Sequence, residues 1–136
     1  MRGSLALLLI AVAVHVLTGV FWTGAAFVLA RFGPATGGLR LRRVQLLAAT
    51  LSVAVGAWLW IGRRGEWGEL QAEAMQLGAV AAVLAAAAQS ALGLGASRRL
   101  DGPDDAAARR RLMMIDRLAA LLLGVAVTAM VLARYI

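Results

Sequence analysis

Residues Leu5 to Ala30, LALLLIAVAVHVLTGVFWTGAAFVLA, run for 26 positions without an acidic or basic charge. A helix rising 1.5 Å per residue needs about 20 apolar residues to cross the hydrocarbon of a bilayer. The stretch therefore predicts a spanning helix, and it decides the solvent in which the rest of the chain folds. Secretory signals also place a basic residue before an apolar run, but their runs are shorter; this one reads as a retained first helix. In hydrocarbon each backbone amide must be satisfied by regular structure, which restricts spanning elements to helices and closed barrels. No segment alternates apolar and polar residues with period two, and helices remain.

Three further apolar segments follow. The spans are predicted at about 5–30, 44–61, 75–96 and 115–135. The expected fold is all-α, a bundle of four transmembrane helices forming one integral membrane domain over residues 1–136. Hydrophobic residues make up 62% of the chain, well above the 45–50% of soluble domains. Cysteine is absent, which excludes disulfides, thiolate metal sites and thiol catalysis. All fourteen basic residues are arginine, and the net charge is +7. Such a balance can mark nucleic-acid binding, but these arginines flank apolar runs, where membrane proteins keep their cytoplasmic charge. The expected partner is the lipid bilayer, and no nucleic acid.

Arginine counts orient the bundle. With four spans, the side holding both termini and the second connection carries Arg2, Arg63, Arg64 and Arg134, whereas the opposite side carries ten. The positive-inside rule then predicts both termini on the outer side. Pro34 and the Gly37-Gly38 pair break the chain after the first helix. Trp58, Trp60, Trp67 and Tyr135 fall at the outer level and read as interfacial anchors. Gly78, Ala82, Ala86 and Ser90 form a small-residue seam along the third helix. Such a seam admits a neighbouring backbone, either the first or second helix or a second copy of the chain, which would make a homodimer. Gln76 and Gln89 lie towards the ends of that helix. Pro103 suits the first position of a following helix, and Asp104 and Asp105 suit its positive end. Asp116 and Arg117 are placed to form an ion pair with the second helix.

His15, the only histidine, lies ten residues below Leu5, roughly 15 Å into the membrane. His15, Gly19, Trp22 and Ala26 recur at helical spacing and share a face. An ionisable group at that depth marks a functional site by default. The packing alternative has the imidazole donate to Thr50, Ser52, Thr128 or a backbone carbonyl on a neighbouring helix. Gly19, one turn away, leaves room for a flat macrocycle whose iron an imidazole can ligate. A sixth ligand would be Met130, a second subunit's histidine or water. Arg31, Arg42 and Arg43 on the inner side, or Arg63 and Arg64 on the outer, are candidates for propionate groups. Trp22 either touches a cofactor or anchors the helix. Hydrolytic chemistry finds no motif: there is no second histidine, nucleophile elbow or phosphate-cradling loop. Nothing marks a transport pathway either.

The run His15-x6-Trp22-x-Gly24 resembles the first helix of a bacterial membrane superfamily that includes the membrane domain of copper-resistance protein D and the HemJ-type protoporphyrinogen oxidases. Arg42-Arg43 and Gly56-Ala57-Trp58-Leu59 are similar to HemJ-type marks at the two ends of the second helix. The likeness covers roughly residues 10–60. It implies a multi-pass protein of the bacterial inner membrane that binds haem b through His15 as metal ligand, with Gly19, Trp22, Arg42 and Arg43 around the cofactor, and a redox or porphyrin-related role. The family's third-helix lysine has no counterpart, since this chain contains none and Met75 or Gln76 stands near that place. The rival expectation is a cofactor-free structural or assembly subunit of a larger membrane complex.

Overall fold

The computed structural model describes residues 2–33, 38–93 and 106–136. Among them the chain forms four long helices: α1 (Arg2–Phe32), α2 (Gly38–Arg63), α3 (Glu69–Ala87) and α4 (Ala106–Leu132). A single 3-10 turn, Arg64–Glu66, joins α2 to α3, and α3 continues into a wider π-helical stretch, Ala88–Gly93. All four helices are long and apolar enough to cross a membrane, over Leu5–Phe32, Arg40–Arg63, Glu69–Ala91 and Ala106–Leu132. The protein is an all-α four-helix bundle and a multi-pass membrane protein. The third and fourth helices begin ahead of the predicted spans, because the turns before those spans carry Glu69, Glu73 and Arg109–Arg111. Charges beyond the hydrocarbon end an apolar run without ending a helix.

Gly33 closes α1. Its φ of +86° is in the left-handed region, open to glycine at little cost, and its N–H donates to Leu29 O at 2.9 Å. The predicted break at Pro34 and Gly37 lies outside the described residues, as do Pro103, Asp104 and Asp105.

The burial pattern suits lipid. Leu9, Leu17, Phe27, Leu47 and Leu121 face outward, whereas the interior is mostly alanine. Lipid tails are as apolar as leucine, so helix association draws on close backbone approach by small side chains. Trp22, Ala26, Ala48, Ala85, Ala119 and Leu123 form the central cluster. The small-residue seam of α3 has a different neighbour from those expected: α4. A Cβ at Gly78 would stand 3.0 Å from Met130 Cγ and 3.1 Å from Ala126 O. Ala81 and Ala85 continue the buried line, while Ser90 is exposed and bonds back to Ala86 O.

Around the bundle, α1 packs on α2 and on α4, α3 packs on α4, and α2 meets α3 only lightly. The pairs α1–α3 and α2–α4 are therefore diagonals. One end of the bundle holds the start of α1, the end of α4 and the α2–α3 turn; this is the terminal end. The opposite end is rich in arginine.

Candidate functional site

His15 stands in the middle of α1, half-buried, against α2. Its Nδ1 lies 2.9 Å from Ser52 O. A carbonyl only accepts, so Nδ1 carries the proton and donates, and in the neutral ring Nε2 keeps its lone pair. Ser52 Oγ returns a long contact, donating to His15 O at 3.5 Å. The same carbonyl also accepts from Thr18 Oγ1 at 3.2 Å, and Ser52 reaches it because α1 and α2 approach closely through small residues: a Cβ at Gly19 would stand 3.2 Å from Ser52 Oγ. One turn along α2, Gly56 lies under the imidazole, and a Cβ there would stand 2.7 Å from His15 Cε1. No side chain larger than hydrogen fits beneath the ring unless the ring moves.

His15, Gly19 and Trp22 all line one half-open cavity of about 930 Å³ that reaches Trp67, Arg134 and Tyr135 at the terminal end. Ligand pockets run to about 300–1,000 Å³, so a macrocycle-sized guest falls within range. All four helices contribute walls: Ser52 and Gly56 from α2, Met75 and Val83 from α3, Leu123 and Met130 from α4. The lining is predominantly apolar. Trp60, Trp67 and Tyr135 also border it, with the two indoles edge to face at 4.8 Å. Of the four aromatic residues expected to anchor the protein at the membrane surface, only Trp58 stays out of the cavity, half-exposed on the bundle surface.

Trp22 forms the floor. It is 2% exposed, and its Nε1–H donates to Gln89 Oε1 at 2.7 Å, across the α1–α3 diagonal. Gln89 sits in the π-helical stretch, whose wider turn shifts the helical register, a feature frequent at functional sites. Below Trp22 the other diagonal is bridged as well. Arg42 Nη2 of α2 meets Asp116 Oδ2 of α4 at 2.7 Å, with both side chains buried. Gln45, one turn along α2 from Arg42, is 0% exposed. Arg42 Nη1, both amide atoms of Gln45, Gln89 Nε2 and Asp116 Oδ1 are buried without a partner among the described residues. The arginine-rich half thus contains a buried polar layer, and the terminal half a largely apolar cavity.

The structure brings together His15, Gly19, Trp22 and Met130 from the residues predicted for a cofactor site, and leaves out Arg42 and Arg43. Arg42 is held by Asp116, the ion pair anticipated for that acid, and Arg43 is exposed on the arginine-rich side. Arg63 is paired with Glu66 at 2.9 Å. Met130 reaches the cavity while packing over Gly78. Gly56 and Arg134 are the site residues that sequence reasoning missed. The first had a signal: Ser52 and Gly56 on α2, like His15 and Gly19 on α1, are one turn apart, two short lines able to face each other. Arg134 had none beyond its place at the end of α4.

Among the described residues no three His, Asp or Glu side chains converge as a metal site. A metal ion in this cavity would therefore need most of its ligands from a prosthetic group, with His15 as the imidazole the protein could offer. No protein-family model, curated protein or solved structure matches the chain. Fold and site define a class, a four-helix membrane protein with one histidine facing an intramembrane cavity.

Proposed function

We propose that this is a bacterial inner-membrane protein of the HemJ/CopD-like kind, which binds haem b through His15 Nε2 and has a redox or porphyrin-related role. The observation that carries the reading is the Nδ1–H···O=C bond from His15 to Ser52, which leaves Nε2 as the free ring nitrogen of a residue that lines an apolar cavity. Metal-ligating histidines are held in this way, because the second bond sets the tautomer and the ring plane and raises ligand basicity. Haem supplies a macrocyclic iron centre for one-electron chemistry, with a potential tuned by its axial ligand and surroundings.

The remaining work falls to the chain. Ser52 O orients the imidazole, Gly56 seats its ring, Gly19 admits the Ser52 hydroxyl beside α1 rather than leaving open space there, and Trp22 closes the floor between the cavity and the polar layer. Met130 is the one thioether of α4 on the cavity and would be the candidate for a further iron ligand. The excess of arginine at the opposite end supports an orientation in which the cavity opens outward, with both termini periplasmic.

The test is the absorption spectrum of protein purified from haem-replete cells. Wild type is expected to show a Soret band, and His15→Ala to lose it while remaining folded. A colourless wild type would favour the cofactor-free packing or assembly subunit, in which the bond to Ser52 serves only to join α1 to α2.

A further inference from the structure

Among the described residues bordering the cavity, Arg134 is the only one with a formal charge. It follows the last turn of α4, where its N–H donates to Val131 O at 3.1 Å. His15 stands in the middle of α1, so the two polar handles lie at different levels of the same cavity. The other basic side chain near this end with a described conformation, Arg63, is occupied by Glu66. Arg134 has no acidic partner among the described residues, although Glu66, Glu69 and Glu73 all belong to the same end.

A guanidinium without a carboxylate at the rim of an apolar cavity has a selective effect. Its planar fork of donors matches a carboxylate or phosphate bidentately. The walls below it offer little to a polar body but accept an apolar one. We infer that the ligand of this cavity is an amphipathic acid whose anionic group is received by Arg134, with its apolar body lying inward towards His15 and Trp22. The inference rests on the haem reading and deepens it: the tetrapyrrole lies with its carboxylate arms at the terminal end, and Arg134, not Arg42 or Arg43, receives them. Arg42 is unsuited to that task, being below the Trp22 floor and already bound to Asp116. The same anionic chemistry could be presented by the headgroup of an acidic phospholipid, and the test separates the two.

The experiment titrates purified full-length protein in zwitterionic detergent with haem and with haem dimethyl ester, following the Soret band. Arg134 is exposed, where a pair with a carboxylate is worth less than a buried one, so wild type is expected to favour the free acid by about two- to fivefold. Arg134→Gln should keep the band and abolish the preference, and Arg134→Lys should restore part of it. Arg63→Gln, altering an arginine that already has a carboxylate, should leave the preference intact. Equal preference in wild type and Arg134→Gln overturns the inference while sparing the haem reading. Absence of a Soret band with either probe in wild type overturns both. Added phosphatidylglycerol that removes the preference, where phosphatidylcholine does not, assigns Arg134 to a lipid headgroup and overturns the tetrapyrrole orientation.

Discussion

At the arginine-rich end the four helices are tied across both diagonals, Trp22 to Gln89 and Arg42 to Asp116. Towards the terminal end α1 stays close to α2 and α3 to α4, with a cavity among the four, and the polar contact there, His15 to Ser52, joins neighbours. The difference shows how a short bundle can be firm and hollow at once. Alanine and glycine let helices approach anywhere along their length, but dispersion alone does little to fix one rotation of a helix over another. Buried polar groups do, because an unmet hydrogen bond costs about 1–3 kcal/mol. Placing the diagonal ties at one end leaves the other free to hold a guest.

The largest expected effect breaks the tied end. Asp116→Ala leaves the Arg42 guanidinium buried without its acid, at a cost of about 3–5 kcal/mol. Thermal unfolding in detergent should show a markedly lower midpoint, while the molecules still folded keep the ligand spectrum of the cavity. Changing both partners to apolar residues, Arg42→Met with Asp116→Leu, should recover most of the loss. A single variant as stable as wild type would show that the α2–α4 diagonal does not hold this end.

Gly56→Ala probes the hollow end. The added methyl must displace the His15 ring, and overpacking of this kind costs about 1–3 kcal/mol. The more telling readout is ligand binding, which should fall well below that of Gly24→Ala, where nothing stands within 4 Å of an added Cβ. Equal binding in the two variants would mean that the ring's seat on Gly56 is immaterial.

Trp22→Phe, the mildest of the three, touches both halves. It keeps most of the aromatic volume but removes the Nε1–H donor, leaving the whole Gln89 amide buried and unpartnered; about 1–2 kcal/mol is expected. Because Trp22 is also the cavity floor, the cavity's ligand spectrum should shift along with the midpoint. A fall in stability with an unchanged spectrum would separate the floor from the tie and weaken the picture of one residue serving both ends.

How far each region was legible follows from the same contrast. The apolar runs reveal four helices, and a histidine among them marks α1 as the helix of interest. Asp116 stands out because an acid at the edge of a span needs a cation, and the arginines at the start of the second helix were the ones expected to pair with it. Gln89, towards the end of its helix, could serve by snorkelling or by an interhelical bond, and Trp22 was not legible as its partner, since those residues are on diagonal helices and no local spacing connects them. Trp60 and Trp67 carry the composition of an interfacial belt, yet they border the cavity as well. Their belt level could be read from position in the span, whereas their direction could not.

Length and composition alone therefore determined that this chain spans a membrane four times as helices, with one imidazole at mid-depth, because hydrocarbon tolerates no unsatisfied backbone and few ionisable groups. Tertiary structure alone decided how each helix is turned about its axis: that His15 faces Ser52 and Gly56, that Arg42 is spent on Asp116, and that Arg134 overlooks the cavity. In water an apolar stripe announces the buried side of a helix. In lipid the outside is as apolar as the inside, so that signal is missing, and the rotation is set by close small-residue contacts and a few polar bonds between distant parts of the chain.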